Sequence, residues 1–187
     1  MAKRISVFGG SNPKPGSEAY QQAYQLGKRL GEAGYTVLTG GYMGTMEAVS
    51  RGAAESGGHV IGVTTDEIER WRAAGPNPWV KEEIRRKTFR DRLNSLVDDC
   101  DAAIALPGGI GTLLEIFLTW NLMVIKVLDT KPLILVGEAW QAVFNTFIKE
   151  LSDYIPIETR EYIAYAPDPK SAINLLKYFP GFCAEIE

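Results

Sequence analysis

The sequence is poor in the side chains on which most metal and redox chemistry depends, with two cysteines and one histidine among 187 residues. Cys100 and Cys183 lie far apart and match no metal-ligand or dithiol spacing, so they read as free thiols of a reducing compartment. His59 follows Gly57-Gly58 at a strand entrance with no ligand partner at useful spacing, and reads as a surface or capping residue. No metal and no cofactor is expected.

Long apolar runs are also missing. The start, MAKRISVFGG, has too few apolar residues for a secretory signal core or a membrane span. A cytoplasmic protein is expected. Charge of one sign is not in excess either: twenty basic against twenty-three acidic residues give a net charge of -3. No field draws in a nucleic-acid backbone or an anionic membrane, so neither is expected as a partner, and a bound anion needs a local pocket. Internal repeats and low-complexity segments are absent.

What is present is alternation. Short, β-rich and almost continuously apolar runs occur at 5–8, 36–38, 60–63, 102–106 and 133–136, as expected of strands buried on both faces. Between them, residues 17–33, 45–56, 81–98, 113–127 and 139–151 carry apolar side chains at helical spacing. A further strand is expected at 162–165 and a helix at 169–178. The stretch 65–79, with Gly75, Pro76 and Pro78 among Trp71, Arg72 and Trp79, reads as a surface excursion and a candidate lid. Its tryptophans offer a stacking surface for a base.

This βα repetition predicts one α/β domain over 1–187: a three-layer Rossmann-like fold, a parallel sheet with helices on both faces. Its single core should bury roughly 70% of the unfolded surface. Ligands of such sheets collect at the carboxyl ends of strands, near a topological switch point. Three βα turns there are glycine-rich: Gly9-Gly10-Ser11, Gly40-Gly41-Tyr42-Met43-Gly44 and Pro107-Gly108-Gly109-Ile110-Gly111-Thr112. The candidate phosphate and nucleotide contacts are Gly10, Ser11, Gly40, Gly41, Gly108, Gly109, Gly111 and Thr112.

The third turn is the most specific. A strand runs into it and a helix follows, so free amide groups and the positive end of the helix dipole face an anion. Glu115 lies three residues past Thr112, on the same helix face and about 4.5 Å further along the axis. A phosphate held at the turn therefore brings the glycosidic bond of a 5′-nucleotide near this carboxylate. There it can stabilise positive charge on the ribose or activate water. A solvated helix glutamate is the ordinary alternative, but Leu114, Ile116 and Phe117 beside it disfavour free exposure. The upstream basic run Arg85, Arg86, Lys87, Arg90 and Arg92 reads as one helix, mostly solvated, with at least one cation able to reach the pocket.

The run Ala105 to Glu115 resembles the PGGxGTxxE signature of the LOG family, known in older naming as lysine-decarboxylase-like. Val7 to Ser11 and Thr39-Gly40-Gly41 through Ala48 resemble that family's first two turns. The resemblance covers most of residues 4–136. It implies a nucleoside 5′-monophosphate phosphoribohydrolase that frees a base from ribose 5-phosphate, with AMP among its substrates, Arg92 and Glu115 as catalytic pair, and a homodimeric assembly. The family's Arg–Lys pair falls on Arg92 and Leu93, and its histidine two positions earlier on Arg90. A related layout occurs in a molybdenum-cofactor carrier, so a carrier that binds a nucleotide-like ligand without turnover is the second reading.

Two other nucleotide binders are disfavoured by motif. The first turn lacks G-x-G-x-x-G and the second strand ends in Thr39-Gly40-Gly41 with no acid for a ribose, against a dinucleotide-dependent dehydrogenase. No G-K-[ST] follows any glycine turn, against a Walker-type kinase. Trp120, Leu122 and Met123 are compatible with either a subunit interface or packing on the sheet.

Overall fold

Successive residues of a strand point to opposite faces, and here both faces are apolar, so each strand needs a helical layer above and below. The structure, a computed structural model, describes residues 2–72, 74–179 and 182. Cys183 lies outside the described residues. The chain runs β1 (Arg4–Phe8), α1 (Glu18–Glu32), β2 (Thr36–Thr39), α2 (Thr45–Glu55), β3 (Val60–Thr65), α3 (Asp66–Arg72), β4 (Glu82–Arg86) and α4 (Phe89–Asp98). It continues through β5 (Ala102–Ala105), α5 (Ile110–Val124), β6 (Leu133–Val136), α6 (Glu138–Glu150), α7 (Ile157–Arg160), β7 (Ile163–Ala166) and α8 (Pro169–Tyr178).

The seven strands form one parallel sheet in the order β4-β3-β2-β1-β5-β6-β7. Val7, Ile104 and Ile134 pack with α1, α2 and α8 on one face. Their neighbours Phe8, Ala103, Ala105, Leu133 and Leu135 pack with α4, α5 and α6 on the other. This is the three-layer Rossmann-like arrangement. The chain winds outward in one direction from β1 and in the other from β5, which puts the switch point between those two strands.

Most expected elements occur within a residue or two of their expected bounds. Two depart: the helix expected at 113–127 is shifted by three residues, and 81–98 is not one helix. Glu82–Arg86 forms the edge strand β4, paired with β3 from Ile61↔Glu82 to Thr65↔Arg86. An edge strand bonds on one side only and tolerates charged side chains, so EEIRR carries no apolar run to reveal it. The helix starts after Thr88, whose hydroxyl accepts from the Asp91 N–H at 3.1 Å as an N-cap. The basic run is therefore split: Arg85 and Arg86 lie on the strand, Lys87 in the link, Arg90 and Arg92 on α4.

α5 begins at Ile110, three residues earlier than its apolar spacing indicates, so the last glycine of the turn is already helical. Trp120 and Met123 are buried in the sheet-facing core, and the Trp120 indole donates to Thr159 O at 2.7 Å. They serve packing. No helix among the described residues is long and apolar enough to cross a membrane.

Candidate active site

At the carboxyl ends of β1 and β5 the first and third glycine turns come together, and the Gly10 N–H reaches Pro107 O at 3.4 Å. The second turn joins them through Thr45, whose N–H and hydroxyl both donate to Gly10 O, at 2.9 and 3.0 Å. Between these turns, α3 and α4 lies a cavity of about 710 Å³. That is ample for a small ligand.

One wall is the start of α5. Gly109 occupies the N-cap position with extended backbone and makes no side-chain cap, and Gly109, Ile110, Gly111 and Thr112 all line the cavity. The helix thus presents its first amide groups and positive dipole end to whatever enters. Gly10, Ser11 and Asn12, from the adjoining first turn, also line the cavity. Gly40, Gly41 and Gly108 do not line the cavity. A Cβ on Gly40 would strike the Arg92 guanidinium, one on Gly108 would strike the Thr112 hydroxyl, and Gly41 holds φ +78°. Their place is behind the lining, where they allow close approach of other groups.

Glu115, half-buried on α5, and Arg92, 5% exposed on α4, both line the cavity. Arg92 is fixed by backbone: Nε donates to Val63 O at 2.8 Å and Nη2 to Gly40 O at 3.1 Å, while its guanidinium stands 5.7 Å from the centre of the Tyr42 ring. These two bonds use two of its five donors. Burial pushes the Glu115 carboxyl up to about 7, opposed by the positive charge of Arg92. Burial likewise lowers the Arg92 guanidinium below its ordinary value, with Glu115 the chief opposing influence. The two groups therefore interact through space, and among the described residues no salt bridge joins them. Leu93, beside Arg92, is buried.

The remaining wall was not legible as a site from motif alone. Tyr42 and Met46 come from the second turn and the start of α2, Phe89 from α4, and Glu67, Ile68, Trp71 and Arg72 from α3. The stretch 65–79 is thus only partly a surface excursion. α3 covers the cavity, whereas Asn77 is buried: its amide donates to Gly41 O at 3.0 Å and Tyr42 O at 2.9 Å, locking the second turn. An asparagine between two prolines was the available signal. His59 is exposed and its Nε2 lies 2.8 Å from Glu82 Oε2. No group of His, Cys, Asp or Glu among the described residues is arranged to hold a metal ion.

With this geometry in hand, comparison with known proteins is decisive about kinship. The profile of the SLOG cluster4 family matches residues 2–160. A cytokinin riboside 5′-monophosphate phosphoribohydrolase of Arabidopsis thaliana is 32% identical over 187 residues, covering 96% of this chain and 84% of that protein. The chain belongs to the LOG family. A cytokinin riboside 5′-monophosphate phosphoribohydrolase of Rhodococcoides fascians is 28% identical over 98% of this chain and 89% of its own length. Among solved structures, the molybdenum cofactor binding protein of Rippkaea orientalis superposes with a TM-score of 0.73 at 27% identity, over 95% of this chain and 96% of that one. The Moco carrier protein of Chlamydomonas reinhardtii gives 0.67 at 26%, over 95% and 96%. This chain and the molybdenum-cofactor proteins thus share one scaffold.

Proposed function

We propose that this protein is a hydrolase that cleaves the N-glycosidic bond of a nucleoside 5′-monophosphate, such as AMP, to free base and ribose 5-phosphate. The observation that carries the reading is the pairing of an uncapped helix start with a carboxylate about one turn along it: Gly109–Thr112 and Glu115 on α5. The amide groups at the helix start hold the phosphate, with Gly10 and Ser11 of the adjoining turn beside them. Glu115 then stands where the ribose must lie.

Hydrolysis breaks the bond between C1′ and the base nitrogen, whose electron pair leaves with the base, and forms a bond from C1′ to the oxygen of water. Ionised Glu115 stabilises the cationic ribose and accepts the proton of the attacking water, and a proton is returned to the departing base. A carboxyl near 7 is suited to both halves of this exchange at neutral pH. The positive charge of Arg92 opposes the effect of burial on Glu115 and so favours the ionised carboxylate, and Arg92 lines the same cavity.

The likeness to molybdenum-cofactor proteins favours a second reading, in which the same pocket carries a nucleotide-like ligand without turnover. Incubation with AMP and other nucleoside monophosphates separates the two, since only the hydrolase releases base. We also take the working form to be a cytoplasmic homodimer; the buried thiol of Cys100 agrees with a reducing compartment.

A further inference from the structure

The proposed reaction leaves one wall of the cavity without a task. α3 follows β3, which is separated from β5 by β2 and β1. At roughly 4.8 Å per strand, that is about 14 Å from the phosphate-facing turn. The span is of the order of phosphate to base in a nucleoside monophosphate. A ligand held by α5 at one end therefore meets α3 at the other.

Two side chains there have unusual states for a plain surface helix. Trp71 is 74% exposed although it lines the cavity, and the Arg72 guanidinium lies 4.6 Å from its ring centre. One face of the indole is thereby occupied and the ring is otherwise largely exposed. Glu67 accepts the Phe89 N–H through Oε2 at 2.6 Å, and its other oxygen has no partner among the described residues. The helix carrying both is pinned: Arg85 bonds Asp66 at 2.7 Å and Glu69 at 2.6 Å. An exposed aromatic face and an acceptor-only carboxylate tied to the Phe89 N–H thus line one cavity from one helix.

Resting on the hydrolase reading of the site, we propose that α3 is the base-selecting element: Trp71 stacks on the base, and the free oxygen of Glu67 accepts a hydrogen bond from an exocyclic amine. The substrate class is then nucleotides whose base bears such an amine. Stacking is tolerant of base identity, whereas the exposed Glu67 acceptor, once a bound base shields it from water, is left unpaired by a base without the donor.

The test compares AMP with purine ribonucleoside 5′-monophosphate, which is AMP without its amine. Wild-type protein should favour AMP by roughly tenfold to a hundredfold in kcat/KM. Glu67→Gln can keep its bond to the Phe89 N–H through the amide oxygen, and then presents a donor to the cavity. It should abolish that preference. Trp71→Ala, at an exposed position that should not disturb folding, should raise KM for both ligands with little change in their ratio. Equal use of the two ligands by wild type, or a preference untouched by Glu67→Gln, overturns the proposal. If no nucleotide loses its base, the hydrolase reading fails, and the same ratio measured as Kd on the wild-type protein still decides the role of α3.

Discussion

The Arg92 guanidinium gives hydrogen bonds to the carbonyls of Val63 and Gly40, yet the charge it retains is what opposes the burial of Glu115. Two backbone carbonyls hold the cation, and the cation tunes the carboxyl. This relationship sets the first expectation, which concerns pH.

The deprotonated carboxyl is the working form, so kcat/KM should fall as pH drops, with a midpoint near 7 in the free protein. Arg92 lowers the Glu115 value, hence Arg92→Gln should move the midpoint to higher pH as well as reduce the rate. A midpoint near 4 to 5 in wild type would mean an ordinary exposed carboxylate and a different proton acceptor.

The same carboxyl should cost stability. Its folded value is raised from 4.5 to about 7, so the native state loses stability as pH climbs through that window. Glu115→Gln removes the charge, and above pH 8 it should stabilise the protein by about 1–3 kcal/mol, with little effect below pH 4. Urea denaturation at both pH values measures the difference.

Gly40 and Gly41 should respond differently to alanine. At Gly40 the new Cβ meets the ends of two flexible side chains, Arg92 and Met46, so the fold should survive while Arg92 is displaced and kcat falls by roughly tenfold or more. At Gly41, with φ +78°, the loss should be of stability, about 1–2 kcal/mol. Denaturation and steady-state kinetics on the two variants separate these effects.

Asn77→Ala should strip two buried carbonyls, Gly41 O and Tyr42 O, of their side-chain donor and cost about 1–3 kcal/mol. Because Tyr42 lines the cavity, KM should rise with it. An unchanged melting temperature would show that this anchor is dispensable.

Much of the fold was readable because buried parallel strands leave nearly continuous apolar runs, as at Val60–Val63 and Leu133–Val136. The edge strand at Glu82–Arg86 escaped because only Ile84 packs on the core and four of its five residues are charged. For the site, the helix-start motif and Glu115 follow from local spacing, which brings them onto one face of α5 whatever the rest of the chain does. The approach of Arg92 does not follow from spacing: it needs α4 to pack beside α5 and the backbone of β3 to receive the guanidinium. Trp71 was legible as a stacking surface in a candidate lid, but Glu67 was hidden for the same reason as Arg92, since only the order of strands in the sheet carries α3 to the cavity.

The central claim is that Glu115 performs chemistry at the ribose of a bound nucleoside monophosphate. Incubation of wild-type protein and Glu115→Ala with AMP, with chromatographic detection of adenine and ribose 5-phosphate alongside calorimetric binding of AMP, tests it directly. The account predicts equimolar release of both products by wild type, and a variant that still binds AMP but releases neither. Tight AMP binding by wild type with no adenine formed, or undiminished release by Glu115→Ala, would contradict it.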